Sequence, residues 1–101
     1  MPDPAGVNQT LLNATIAEIS ALRYTPAGVP ALDFMLEHSS EQAEAGLVRQ
    51  VSLKLRALAL GGQAERLSRQ PPGSRWQFKG FLVTPRQGRS VVLHVQDFQQ
   101  D

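Results

Sequence analysis

Residues Leu47–Leu60 read LVRQVSLKLRALAL, and the period of that stretch decides the fold. Val51, Leu53, Leu55 and Ala57 fall on one parity, and Gln50, Ser52, Lys54 and Arg56 on the other. Successive side chains of an extended chain point to opposite faces. The alternation therefore predicts a strand with one face in a core and one basic, polar face in water.

The same period of two recurs on both sides of this stretch. Leu32, Phe34 and Leu36 alternate with Asp33, Met35 and Glu37. Arg75–Val83 (RWQFKGFLV) places Trp76, Phe78 and Leu82 on one side. Val91, Leu93 and Val95 mark the last strand, with Val92, His94 and Gln96 opposite. A first strand around Leu12–Ile19 is apolar but alternates less cleanly. Thr25–Pro30 (TPAGVP) is a turn, because Pro26 presets φ and Gly28 permits φ > 0. Ser39–Gly46 (SSEQAEAG) reads as a polar, acidic loop, and Thr84–Ser90 (TPRQGRS) as a short basic hairpin loop. Gln63–Arg69, after Gly61 and Gly62, reads as one short helix closed before Pro71 and Pro72. Three strands, a short helical connection and two strands suit an all-β chain. The predicted architecture is a five-stranded OB-fold, a Greek-key β-barrel with its helix between the third and fourth strands. A small β-sandwich is the alternative.

With 101 residues the chain fits one domain, expected over residues 9–101 after a short disordered lead-in, residues 1–8, rich in Pro and Gly. That lead-in has no basic n-region and no apolar h-region, so it is not expected to act as a secretory signal. No apolar run approaches the roughly 20 residues of a membrane span. The expected location is the cytoplasm. The absence of cysteine excludes a disulfide framework and thiolate metal sites. Net charge is +1, but its distribution is uneven. Residues 1–47 hold six acids and one base, and residues 48–101 hold nine bases and three acids. One basic face on a nearly neutral protein is the footprint of an anion-binding surface.

Catalysis finds little to work with. There are two histidines, His38 and His94, on different predicted strands, and no HExxH, GxSxG, P-loop or GxGxxG spacing. Glu37 and His38 are neighbours on a strand and point apart. Asp33 and Glu37 share a face, which a solvated strand surface explains. No enzyme activity, metal or cofactor is expected, and the histidines read as satisfied sheet residues.

Binding of single-stranded nucleic acid needs cations along a groove and exposed aromatic faces on which bases stack. Arg49 lies near the start of the third predicted strand, on its core parity, where a strand end leaves it exposed. Lys54 and Arg56 lie on that strand's polar face, Lys79 on the fourth strand, and Arg86 and Arg89 on the loop that follows. Phe81 has the parity of Lys79, opposite to Trp76 and Phe78, so an unbroken strand projects it outward. A bulge at Gly80 would turn it into the core instead. Trp76 and Phe78 are expected in the core. Arg23 and Tyr24, at the entrance to the first turn, are secondary candidates, Tyr24 either stacking on a base or capping the barrel.

Thr25–Gln50 resembles the primosomal replication protein N (PriB) family. The matches are Pro26, Gly28, Val29 and Pro30; Phe34, Leu36, Glu37 and His38; and Gln42, Glu44, Ala45, Gly46, Arg49 and Gln50. A looser part stays in register: Gly73-Ser74-Arg75, Gly80-Phe81 and Val92-Leu93-His94. The resemblance runs from about Asn8 to Val95. It implies an OB-fold homodimer of the replication-restart primosome that binds single-stranded DNA, stimulates the PriA helicase and helps recruit DnaT. It also implies that DNA-contacting positions map onto Arg23, Arg49, Phe81 and the loop of Arg86 and Arg89. The chain departs from better-known enteric members, which carry a tryptophan where it has Ser52, a phenylalanine where it has Leu47, and a longer, lysine-rich last loop. Two stacking platforms are thus missing, and Lys54 and Arg56 offer charge in their place. Two other readings compete. A general single-strand-binding protein usually carries a long Gly/Pro-rich tail, whereas this sequence stops at Phe98-Gln-Gln-Asp. The other is a primosome adaptor between proteins, with weak or secondary DNA binding and the acidic segment Ser39–Gly46 as a docking surface.

Overall fold

The computed structural model describes residue 4 and residues 6–101; residues 1–3 and 5, part of the expected lead-in, lie outside them. The elements in chain order are β1 (Thr10–Ile19), β2 (Arg23–Tyr24), β3 (Pro30–Glu44), β4 (Leu47–Leu60), α1 (Gly62–Ser68), β5 (Arg75–Val83) and β6 (Val92–Gln99). Five of these strands close a barrel in the order β1-β3-β4-β6-β5 and back to β1, and only the β4–β6 pairing is parallel. This is the expected five-stranded OB-fold. Closure leaves the barrel ladder without an open side.

β1 makes the closure. Thr10–Thr15 pair with β5, and Thr15–Ile19 pair with β3. Between Ile16 and Glu18 the register slips, leaving Ala17 as the extra residue. A bulge bends a strand and increases its twist, so one strand can serve two neighbours. It also explains the poor alternation of this segment. Ala14 and Ile16 are buried, but the next core side chain is Ile19, three residues on. Asn8 extends the β1–β5 pairing: its amide donates to the Leu82 carbonyl at 2.8 Å and accepts from the Leu82 N–H at 3.0 Å.

The inward parities expected for the later strands form the core in part. Leu53, Leu82 and Val91, expected on the same faces, are exposed, Leu53 lying beyond the β4 residues that β6 covers and Val91 before β6 begins. Leu32, Phe34 and Leu36 meet Ala57 and Ala59 from β4, Phe78 from β5, and Leu93, Val95 and Phe98 from β6. The short helix closes one end by burying Ala64 and Leu67 completely. Each large side chain so buried contributes roughly 1.5–3 kcal/mol from water exclusion. Phe78 lies within 6.3 Å of both Phe34 and Phe98, and Trp76 meets Phe98 edge-on at 5.1 Å. Trp76 and Phe78 therefore serve the core, as their parity indicated.

Two further features differ from the sequence reading. The turn over Thr25–Pro30 is flanked by a two-residue strand, β2, in which Arg23 pairs with Ala31 and Tyr24 with Pro30. It adds to β3 without entering the barrel. The acidic segment Ser39–Gly46 is no loop: β3 continues to Glu44 and pairs without interruption with β4 as far as Glu44↔Leu47. Beyond the barrel this hairpin has water on both faces, so it shows no apolar alternation although its backbone groups are paired. Periodicity reports burial, and an unburied strand is invisible to it.

The turn of that hairpin is two residues, Ala45 and Gly46, with φ of 53° and 78°. Positive φ at both central positions defines a type I′ turn, which favours Asn-Gly. Ala45 is the one non-glycine residue with positive φ among the described residues. Replacing it with asparagine, which tolerates this region, is expected to stabilise the protein by about 0.5–1 kcal/mol. A urea-unfolding midpoint that stayed put or fell would count against the turn assignment.

Candidate nucleic-acid interface

The register determines which side chains share the outer face of the barrel. On β3 and β4, Asp33 stands opposite Leu58, Met35 opposite Arg56, and Glu37 opposite Lys54. Arg56 then neighbours Val92 across the parallel pair. On β6 and β5, His94 stands opposite Phe81, and Val92 opposite Val83.

The direction of Phe81 depends on one irregularity. Lys79 pairs with Asp97 but Gly80 pairs with Val95, so the extra residue is Gln96. The bulge therefore lies on β6, and β5 keeps its alternation through Gly80. Burial on β6 agrees: Leu93, Val95 and Phe98 are the buried residues, with a spacing of two and then three. Phe81 points outward. It is half-buried, stands outside the core cluster, and packs its ring on the His94 imidazole with centroids 5.0 Å apart and planes 31° apart.

Beside this pair lies an open groove of about 530 Å³, lined by Met35, Leu58, Val92 and Pro85, by His94, and by Arg23, Arg56, Glu18 and Asp33. Pro85 belongs to the loop that carries Arg86 and Arg89, both exposed. The structure thus brings Arg23, Arg56 and the Arg86/Arg89 loop around one groove next to Phe81. Lys54 lies one step further along the outer face of β4, and Lys79 shares the parity of Phe81 on β5. Arg49 is the exception. It lies on the hairpin beyond the barrel, on the opposite parity to Lys54, with its guanidinium 3.1 Å from Glu44. Tyr24 is exposed on β2.

The cations differ in their partners. Arg23 is gripped by Asp33, with Nε at 2.7 Å and Nη2 at 3.3 Å from its two oxygens. That hydrogen bond, and after it the carboxylate charge, raise the Arg23 pKa above its ordinary value. Lys54 lies 3.8 Å from Glu37. Among the described residues, Arg56, Lys79, Arg86 and Arg89 enter no ion pair.

Sequence reasoning missed His94 as a site residue. Its outward parity was readable, but its partnership with Phe81 exists only through the cross-strand register. His38 has no such role. Its Nδ1–H donates to the Asn13 carbonyl at 2.6 Å, and Nε2 meets the Ser40 hydroxyl at 2.7 Å. Both nitrogens are satisfied. Among the described residues no three histidine or acidic side chains come together as a metal site would require.

Known proteins share this architecture and sequence. Residues 8–97 match a family described as another single-strand binding protein family. The replication restart protein PriB of Bordetella pertussis is 44% identical over 91 residues, covering 89% of this chain and 85% of that protein. PriB of Nitrosomonas europaea is 37% identical over 100 residues, covering 95% and 93%. The chain belongs to the PriB family. A solved structure of PriB from Ralstonia solanacearum superposes with a TM-score of 0.86 at 36% identity, over 94% of this chain and 98% of that one.

The motif that carried the resemblance is largely architectural. Pro26, Gly28 and Pro30 build the β2–β3 turn, where the Gly28 N–H donates to the Thr25 carbonyl at 2.8 Å. Phe34 and Leu36 are core, His38 ties β3 to β1, and Glu44-Ala45-Gly46 turns the hairpin. The outward-facing aromatic and the cations that enter no ion pair among the described residues lie outside that motif, on the outer face and in the β5–β6 loop.

Proposed function

We propose that this protein is a non-catalytic accessory factor of DNA replication restart that binds single-stranded DNA on the outer face of its barrel. The observation that carries the reading is Phe81, turned outward onto His94 and flanked by a groove whose cations include Arg56, which enters no ion pair among the described residues. Phe81 stacks on a base, Arg56, Arg86 and Arg89 hold phosphates, and Lys54, Lys79 and Arg23 extend the positive track. Arg49 contacts the strand where it passes along the hairpin. The single-strand-binding family and the replication-restart relatives support the same activity. The protein acts in the cytoplasm as a homodimer that stimulates the PriA helicase and recruits DnaT.

Fluorescence anisotropy of a labelled single-stranded oligonucleotide, titrated at several salt concentrations, tests this. Three phosphate contacts, from Arg56, Arg86 and Arg89, predict a slope of log K against log salt near −2.1, about −0.7 for each contact on a single strand. Binding that is absent, or indifferent to salt, removes the reading.

A second reading has its own observation. Leu47 and Val48, at the end of the hairpin, are 68% and 71% exposed, and Ser52 offers no ring to a base. Two apolar side chains left in water on a projecting hairpin suit a protein partner. On this view the hairpin docks the helicase and DNA binding is secondary. Leu47→Ser with Val48→Ser is expected to abolish stimulation of PriA while leaving DNA affinity within about twofold, since neither residue is among the phosphate or stacking contacts.

A further inference from the structure

The groove that gathers the cations also gathers carboxylates. Glu18 and Asp33 line it, and Glu37 lies further along the outer parity of β3, opposite Lys54. Asp33 takes two donors of the Arg23 guanidinium, at 2.7 and 3.3 Å, with both side chains about half exposed. A guanidinium presents the same rigid fork to a carboxylate and to a phosphate. Asp33 and a DNA phosphate therefore compete for the same donors. While Asp33 holds them, the pair adds no net charge to the groove.

Resting on the reading that this face binds single-stranded DNA, we propose that Asp33 is an affinity-limiting residue that masks Arg23. A strand first meets Arg56 and the Arg86/Arg89 loop, and must displace the Asp33 carboxylate before Arg23 takes a phosphate. An exposed ion pair is weak enough in water to be displaced without unfolding. The displaced carboxylate stays in the groove and repels the strand, so the hold on DNA is weaker and more readily released than the cation count implies. Glu37 masks Lys54 in the same way but less firmly, through a single approach at 3.8 Å. Glu18 lines the same groove and enters no ion pair among the described residues. It supplies the control, since Glu18→Gln deletes one negative charge without freeing a cation.

The experiment compares anisotropy titrations of labelled oligothymidylate with the full chain and with Asp33→Asn, Glu37→Gln, Glu18→Gln and Asp33→Asn/Arg23→Ala, each checked for folding by circular dichroism. Asp33→Asn is expected to bind roughly 3–10-fold tighter at low salt, with a salt slope steeper by about 0.7. Between 50 and 200 mM salt its advantage then shrinks about 2.5-fold. The gain exceeds that of Glu18→Gln, and adding Arg23→Ala removes the excess. Glu37→Gln shows a smaller excess and carries the comparison should Asp33→Asn fail to fold. If the wild type binds but neither variant outperforms Glu18→Gln, or the excess survives loss of Arg23, the masking proposal is overturned and DNA binding stands. If no protein in the set binds, both the functional reading and the proposal fall.

Discussion

Gly80→Ala is expected to lose at least about 3 kcal/mol of stability, the upper end of the ordinary cost of overpacking. A Cβ at this position would stand 1.9 Å from the His94 carbonyl oxygen, 2.9 Å from its carbon and 3.2 Å from the Val95 Cα. All three are backbone atoms, so no side chain can swing aside. Relief requires β5 and β6 to separate where the Gln96 bulge brings them close, at the cost of ladder hydrogen bonds. In a domain of this size that loss lowers the melting temperature by roughly 12–24 °C. Thermal unfolding followed by circular dichroism measures it. A melting temperature within a few degrees of the wild type would mean that the strands do not approach as described. The placement of Phe81, which depends on the same bulge, would then fail with it.

Phe81→Ala combined with Arg86→Ala is expected to weaken single-stranded DNA binding by roughly 10–100-fold, from about 1–3 kcal/mol for one stacked base together with one lost phosphate contact. Folding should survive. Phe81 lies outside the core, and removing it forfeits its packing on His94, of the order of 0.5–1.5 kcal/mol for such a ring pair. Phe78→Ala is the contrasting case. That ring is fully buried between Phe34 and Phe98, and its loss should cost about 3–5 kcal/mol without a specific effect on DNA once the protein is folded. Anisotropy and thermal melts on the same samples separate the two. If Phe81→Ala alone melted as low as Phe78→Ala, Phe81 would be structural and the stacking assignment would be lost.

The strands were legible where one face was buried. Leu32, Phe34 and Leu36, and then Leu55 and Ala57, announced themselves because burial imposes a period of two on side-chain type. The hairpin beyond Ser39 was read as a loop for the same reason, since neither of its faces is buried. β2 left no signal, being a pair of exposed residues held by the Thr25–Pro30 turn. Among the candidate site residues, the outward parity of Lys54, Arg56 and Lys79 followed from the alternation alone. Whether each was available did not, because the carboxylates that occupy Arg23, Arg49 and Lys54 come from β3.

By itself, then, the amino-acid sequence determined the number and order of the barrel strands, the helix between them, the turn at Thr25–Pro30 and the centre of the core, Leu32, Phe34, Leu36, Phe78, Leu93 and Val95. These follow from local backbone preference and from the contrast between apolar and polar positions, which every residue carries with it. Only the tertiary structure decided that Phe81 looks outward onto His94, that Gly80 must lack a side chain, and that Asp33 holds Arg23. Each depends on which residue of another strand stands opposite, and a single extra residue, Gln96, is enough to shift that register. Register is a relation between distant segments, and it comes into being only when the barrel closes.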